Sequence, residues 1–253
     1  MYKCHFIFDN TKRSQQLKRS FKKYKNYPIN ICDLVVVVGG DGFMLRVLKK
    51  YYKTKKPFYG INCGTIGFLM NKFHTTNLEK KIKKTKSFSV NPLEVRIINL
   101  NGKKFKVLAV NEISLLRQSR QTATLNLKIN NKELTKKLVG DGVLVSTPAG
   151  STAYNLSVHG PIISLDSKKL VITPISPFRP RRWKGKVVSD KTKIFIKNLD
   201  PNKRPVSAVA DNYEIRNIKS VKIKANKKIY FKILFSPSES LIKKIKLEQT
   251  RIN

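Results

Sequence analysis

The chain has 253 residues, of which 40% are hydrophobic, so it can bury one large core or two ordinary ones and is not expected to be disordered. Its 53 lysines and arginines against 15 aspartates and glutamates give a formal net charge of +38. No apolar run approaches a membrane span, residues 1–5 do not show the apolar stretch that is typical of a signal peptide, and the three cysteines have no metal-ligand spacing. These features predict a cytoplasmic protein with reduced thiols.

The positive charge is spread along the chain and is carried mainly by lysine. A specific nucleic-acid binder tends to concentrate arginines and aromatic residues on one element. The scatter therefore favours lysine-rich solvated faces, and it predicts only non-specific attraction of nucleic acid and other polyanions.

Strand and helix patterns alternate over the first part of the chain. The predicted strands are 4–8, 33–38 and 58–61. The predicted helices are 14–24, one that follows the second strand and ends at about residue 52, and 78–86. Such alternation is typical of a parallel α/β unit. We expect this α/β domain to comprise residues 1–91, completed by a C-terminal helix within 239–253.

From Asn91-Pro92 onward the pattern changes to short strands separated by turn residues. Asn101-Gly102 and Asn130-Asn131 are typical of hairpin turns. The predicted strands are 93–100, 105–110, 122–129, 133–138, 143–146, 170–173, 187–188, 193–197, 206–209, 220–223 and 229–235. This series predicts a β-rich, sandwich-like domain over residues 92–238.

The most informative local pattern is 35–44, where four valines lead into Gly-Gly-Asp-Gly. Four consecutive valines suit a strand covered on both faces, and α/β sheets bind ligands at the carboxyl ends of their strands. Gly40 and Gly42 let an anion approach the main chain at the start of a helix, and Arg46 can pair with a phosphate. The alternative is a tight turn that Asp41 merely stabilises.

Four further motifs accompany this pattern: a glycine-bearing loop at 62–69, Asn111-Glu112, the run 140–155, and Asp211-Asn212. The run reads Gly-Asp-Gly-Val-Leu-Val-Ser-Thr-Pro-Ala-Gly-Ser-Thr-Ala-Tyr-Asn. In order and spacing these motifs resemble the NAD kinase family over nearly the whole chain. The resemblance implies transfer of the terminal phosphoryl group of ATP, or of polyphosphate, to the 2′-hydroxyl of the adenosine ribose of NAD. It also implies Mg²⁺ with ATP.

The resemblance assigns roles to individual residues. A ribose hydroxyl is a poor nucleophile, so a carboxylate that takes its proton assists the attack, and Asp41 matches that base. Asn111 and Glu112 match a dinucleotide-binding pair, whose amide and carboxylate can bond ribose hydroxyls, although a bulge or edge pair is the alternative. Asp141 matches a position that binds the nicotinamide half of NAD, and Tyr154 offers an aromatic platform for adenine.

Further site residues follow from the same motifs. Ser151 and Thr152 offer hydroxyl groups at a helix start, where they are either ligand donors or helix caps. Phe43 stands where the family usually has Thr or Ser, which affects donor-phosphate binding. No metal-ligating residue is assigned. The nucleotide-binding set is Gly40, Gly42, Arg46, Asn111, Glu112, Asp141, Ala149, Ser151, Thr152, Ala153, Tyr154, Asn155, Ser157, Asp211 and Asn212.

Several alternatives stay open. The segment 178–186 clusters arginines with aromatics and is either an exposed basic loop or a grip for phosphate or nucleic acid. Two other functions remain: a lipid or sugar kinase that shares only Gly-Gly-Asp-Gly, and a basic nucleic-acid-binding protein on an inactive kinase fold. The resemblance implies a homo-oligomer, dimer or tetramer, with NAD and ATP bound between the domains and no membrane partner.

Overall fold

The computed structural model describes residues 2–65, 67–73, 77–237 and residue 244. The chain divides into two compact units, Met1–Val90 with Tyr230–Asn253, and Asn91–Ile229. Within the described ranges, no helix is long and apolar enough to cross a membrane.

The elements follow one another in chain order. The strands are β1 (Cys4–Phe8), β2 (Leu34–Gly39), β3 (Phe58–Asn62), β4 (Lys86–Val90), β5 (Leu93–Asn99), β6 (Lys104–Ala109), β7 (Glu112–Arg117), β8 (Ala123–Ile129), β9 (Lys132–Gly140), β10 (Gly142–Ser146), β11 (Lys169–Ile175), β12 (Lys186–Ser189), β13 (Ile194–Asn198), β14 (Val206–Ala210), β15 (Tyr213–Ile215), β16 (Ile218–Ala225) and β17 (Phe231–Phe235). The α-helices are α1 (Lys12–Lys18), α2 (Asp41–Tyr51), α3 (Leu78–Lys83) and α4 (Tyr154–Ser157). Short 3₁₀ helices are Arg19–Phe21, Tyr52–Thr54 and Ala149–Thr152.

The first unit is built on a five-stranded sheet in the order β1-β2-β3-β17-β4. Strands β1, β2 and β3 are parallel, which confirms the predicted α/β class. All six residues of β2 are buried, as its run of valines predicts for a strand covered on both faces. The carboxyl end of β2 therefore meets α2 at the Gly-Gly-Asp-Gly turn.

Strand β17 lies in this first sheet and not in the β-rich series where the sequence pattern placed it. It pairs parallel with β3 and antiparallel with β4, a strand that replaces the end of the predicted helix 78–86. The buried Asn71 amide joins the two ends of the unit, because its Nδ2 donates to Gly60 O and Leu234 O, at 3.0 and 2.9 Å. The predicted C-terminal helix lies outside the described residues except for Lys244.

The second unit contains two six-stranded sheets, in the orders β12-β11-β10-β7-β14-β15 and β6-β5-β16-β13-β8-β9. The strands of both sheets pair antiparallel, and inward-facing residues of both sheets form one apolar core, which confirms the β-rich prediction. Asn130 and Asn131 have φ angles of +48° and +68°, as a two-residue hairpin turn requires. Strand β7, which the sequence analysis did not predict, lies inside the first of these sheets.

Candidate active site

The first cluster of predicted site residues lies where β2 meets α2. Gly40 is the N-cap residue of α2, with φ −104° and ψ 178°, and Asp41 is its first residue. The Asp41 carboxylate accepts two backbone hydrogen bonds, from Phe68 N to Oδ2 at 2.7 Å and from Leu69 N to Oδ1 at 3.0 Å. The glycine-bearing loop 62–69, to which the sequence analysis gave no role, therefore fixes this carboxylate on both oxygens.

Burial is the main influence on the Asp41 carboxyl and raises its pKa above the ordinary value. The two N–H donors and the Lys244 ammonium act in the opposite direction and limit that rise in pKa. The pKa of the Asp41 carboxyl therefore lies above its ordinary value and closer to neutral pH, which suits a general base.

The packing around Gly40 and Gly42 leaves room for a side chain at both positions. A Cβ built at either position meets nothing within 4 Å among the described residues. The main chain is consequently open to a ligand at the helix start, where N–H groups attract anions.

Arg46 and Phe43 flank this opening. The Arg46 side chain is 58% exposed, and its Nη2 lies 3.5 Å from Asp9 Oδ1. Its guanidinium carbon lies 5.5 Å from the centre of the Phe43 ring. A phosphate that binds Arg46 would therefore share its guanidinium group with the Asp9 carboxylate and the Phe43 ring.

The second cluster centres on Asn111 and Glu112 at the start of β7, each only 8% exposed. Asn111 Oδ1 and Glu112 Oε2 are buried and have no hydrogen-bond partner within the described ranges. Burial, reinforced by the charge of Asp211, raises the pKa of Glu112 to about 8. Two buried acceptors thus lie next to each other in sequence without a donor from the residues that the structure describes.

Asp211 holds the main chain of this pair. Its Oδ1 accepts from Asn111 N at 2.8 Å, its Oδ2 accepts from Val110 N at 3.0 Å, and its own N–H donates to Glu112 O. Asp211 has a φ of +53°, a left-handed conformation that Asp tolerates better than most residues. Asn212 follows it directly and precedes β15.

The long motif 140–155 packs against the same backbone. Thr147 N donates to Asn111 O at 2.8 Å, and Thr147 Oγ1 donates to Val110 O at 2.7 Å. A Cβ at Gly150 would lie 2.2 Å from Asn111 O, so only glycine permits this approach. The 3₁₀ helix Ala149–Thr152 is thereby seated directly on the Asn111-Glu112 pair.

The side chains of this motif divide into inward and outward groups. Ser151 and Asn155 are fully buried, and Asn155 bonds Ser151 O, Pro161 O and Thr173 Oγ1 at 3.1, 3.0 and 2.7 Å. Thr152 is 4% exposed, whereas Ser157 is exposed. No side chain caps α4, whose N-cap is Ala153, so the capping alternative for Ser151 and Thr152 is wrong.

Asp141, Tyr154 and Glu112 influence one another electrostatically. The pKa of the Tyr154 hydroxyl is raised by burial and then by the charges of Asp141 and Glu112. Asp141 Oδ1 accepts from Arg117 Nε at 2.6 Å, a pairing with a residue that the sequence analysis did not select. The sequence around Arg117 contains no motif that indicates its contact with Asp141.

The basic segment 178–186 presents Phe178, which is 50% exposed. The guanidinium carbons of Arg179 and Arg181 lie 5.6 and 5.5 Å from the centre of its ring. An exposed basic surface is therefore part of this segment.

Potential metal ligands are dispersed. Among the described residues, no group of three or more His, Cys, Asp or Glu side chains could hold a metal ion. Cys4, Cys32 and Cys63 are free and buried.

Comparisons with known proteins agree with this arrangement. The ATP-NAD kinase N-terminal domain matches residues 5–86, and the ATP-NAD kinase C-terminal domain matches residues 110–232. The NAD kinase of Zymomonas mobilis is 44% identical, over 97% of this chain and 96% of its own length. That of Rhizobium meliloti is 42% identical, over 96% and 95%. The chain belongs to the NAD kinase family.

Solved structures share the fold. Yeast NADH kinase complexed with NADH has a TM-score of 0.77 at 24% identity, covering 94% of this chain and 76% of that one. An NAD kinase from Archaeoglobus fulgidus in complex with ATP has a TM-score of 0.74 at 24% identity, covering 99% and 100%.

Proposed function

We propose that this chain phosphorylates the 2′-hydroxyl of the adenosine ribose of NAD, with ATP or polyphosphate as donor, and so makes NADP. The observation that carries the proposal is a pair of buried acceptors, Asn111 Oδ1 and Glu112 Oε2, for which the described part of the chain supplies no donor. Leaving a buried polar group unsatisfied costs about 1–3 kcal/mol, so such a pair is expected where a ligand supplies the donors. A ribose diol offers two hydroxyl donors side by side, and the curated relatives are NAD kinases.

Asp41 acts as the general base. Its carboxylate takes the proton of the 2′-hydroxyl as that oxygen forms a bond to the terminal phosphorus of ATP, and the bond to the leaving ADP oxygen breaks. The N–H groups of Phe68 and Leu69 occupy one lone pair on each carboxylate oxygen, at 2.7 and 3.0 Å. Further lone pairs remain for the substrate proton, and the raised pKa of Asp41 strengthens it as a base.

The donor phosphates bind at the start of α2. Gly40 and Gly42 expose main-chain N–H groups, and Arg46 supplies a cation one turn further along the helix. The described residues do not fit a resident divalent metal, because no three suitable ligands converge. Mg²⁺ would be bound together with ATP, where it would neutralise charge on the donor phosphates.

The dinucleotide binds in the second unit. Asn111 and Glu112 hold a ribose diol, Asp141 faces the nicotinamide half, and Tyr154 lies against adenine. Asp211 positions the ribose-binding pair through its hydrogen bonds from Val110 N and Asn111 N, and Asn212 follows it in the same turn. The more exposed residues of the long motif complete the NAD site. Inward residues of that motif, Ser151 and Asn155 among them, act by shaping the loop.

Compartment and assembly are part of the same proposal. Three free thiols suit the reducing cytoplasm. A homo-oligomer, dimer or tetramer, is supported by the family resemblance, and sedimentation at high salt tests it.

The direct test is NADP formation from NAD, ATP and Mg²⁺, coupled to an NADP-specific dehydrogenase after a high-salt wash of the protein. We expect turnover with NAD and, when ADP release is measured instead, none with diacylglycerol or fructose 6-phosphate, the acceptors of kinases that share only Gly-Gly-Asp-Gly. No NADP with either ATP or polyphosphate, in a folded preparation, would overturn the proposal.

A further inference from the structure

The buried Lys244 ammonium lies behind the loop that holds Asp41. Lys244 is 5% exposed, and its Nζ donates to Gly67 O at 2.9 Å, to Phe68 O at 3.4 Å and to Met70 O. It also lies 5.2 Å from the centre of the Phe235 ring. Burying an ammonium group costs free energy of folding unless nearby groups compensate its charge, so we ask which groups surround Lys244.

The contacts of Lys244 and Asp41 fall on the same peptide groups. The Gly67–Phe68 peptide accepts from Lys244 through its carbonyl and donates to Asp41 through its N–H. The Phe68–Leu69 peptide does the same. Two peptide dipoles are therefore aligned between an ammonium and a carboxylate, with each positive end toward Asp41.

We propose that Lys244 is a positioning residue that keeps Asp41 ionised and oriented through these two peptide groups. Hydrogen-bonded groups in series polarise one another, so the ammonium strengthens the N–H donors that Asp41 receives. The same charge favours the ionised form of Asp41 directly, against the burial that opposes it. The link to catalysis rests on the proposed function of Asp41; the link between the two side chains does not.

The experiment measures Asp41 protonation without relying on turnover. Protein labelled with ¹³C at aspartate carboxyls is titrated by NMR, and the Asp41 signal is assigned by its loss in Asp41→Asn. We expect Lys244→Met to move the Asp41 titration to higher pH, whereas Lys244→Arg leaves it near the wild-type position. An unchanged Asp41 titration in folded Lys244→Met would overturn the proposal.

Matched variants separate charge from structure. Lys244→Gln keeps a donor for the loop carbonyls but removes the charge, so it serves if Lys244→Met fails to fold, and it should show the same upward shift. Lys232→Met removes an exposed lysine of the same unit and should leave Asp41 unchanged. A shift in Lys232→Met equal to that in Lys244→Met would reduce the effect to net charge and overturn the proposal.

Kinetics then connect the pair to catalysis. In Lys244→Met the acid limb of the kcat/KM profile should move upward with the NMR titration, and activity at neutral pH should fall on the order of tenfold with partial recovery in alkali. Stability loss with an unmoved acid limb and an unmoved NMR titration would indicate a structural lysine. If wild-type protein makes no NADP while the NMR shift is present, the proposed function fails and the Lys244–Asp41 link stands.

Discussion

Asp41 and Glu112 are both buried carboxyl groups with raised pKa values, but their surroundings differ in kind. Asp41 receives two N–H bonds and faces a lysine through the loop. Glu112 Oε2 has no partner among the described residues, and the charge of the Asp211 carboxylate adds to the effect of burial on its pKa. The surroundings of Asp41 thus favour the ionised carboxylate, which can accept a proton. The surroundings of Glu112 instead leave one oxygen for a ligand to bond.

Glu112 makes folding stability depend on pH. Its folded pKa, about 8, lies above the ordinary 4.5, so the native state binds the proton more tightly than the unfolded state between those values. The free energy of unfolding therefore falls as pH rises through this window. Glu112→Gln removes this loss, and thermal melts should show a stabilisation on the order of a few kcal/mol at pH 9 but little change at pH 4.

Glu214→Gln is the control, because Glu214 is 49% exposed and pairs with Arg216 on the surface. It should show no such pH-dependent gain. A Glu112→Gln protein that is equally destabilised at pH 4 and pH 9 would contradict the raised pKa of Glu112.

Asn155 belongs to the long motif, but its side chain has a structural role rather than a ligand-binding one. Its amide makes three internal hydrogen bonds, so Asn155→Ala should cost about 2–4 kcal/mol of unfolding free energy in urea titrations. Ser157→Ala, at an exposed position of the same motif, should cost less than about 0.5 kcal/mol. Equal stability of the two variants would contradict the structural role of Asn155.

At the scale of elements, the 3₁₀ helix Ala149–Thr152 is seated on the main chain of Asn111. Gly150→Ala places a Cβ 2.2 Å from Asn111 O, and that contact is with backbone that cannot rotate away. We expect about 1–3 kcal/mol of destabilisation in denaturant titrations, together with a raised KM for NAD, because Asn111 and Glu112 move.

Gly64→Ala is the matched change, since among the described residues its Cβ meets only Asn62 Oδ1, at the ordinary distance of 3.4 Å. It should leave the free energy of unfolding nearly unchanged. Normal stability and a normal KM for NAD in Gly150→Ala would contradict the close seating of the helix.

Some helices and strands could be predicted from the sequence and others could not. The valines of β2 and the motif Gly-Gly-Asp-Gly predicted the strand, the turn and the helix that carries Asp41, because these depend on local patterns. The sheet to which β17 belongs was placed wrongly, because alternation identifies a strand and not its distant partner. Lys244 was missed for a related reason: the sequence has many lysines, and only the fold shows that this one is buried.

At the scale of the whole molecule, the net charge of +38 predicts binding of RNA without sequence preference. If several phosphates are contacted, affinity should fall by a factor on the order of 10³ or more between 50 and 200 mM salt, measured by polarisation of a labelled RNA. NAD phosphorylation should persist at the higher salt. Salt-resistant RNA binding that blocks NADP formation would contradict this view of the charge.

We propose that Asp41 removes the proton from the 2′-hydroxyl of NAD. The most direct measurement compares wild type with Asp41→Asn in two assays, NADP formation and calorimetric NAD binding. Asparagine keeps the size of the side chain but cannot serve as the base, so we predict a loss of kcat on the order of 10²–10⁴ with NAD affinity nearly unchanged. Turnover at the wild-type rate in Asp41→Asn would contradict the account.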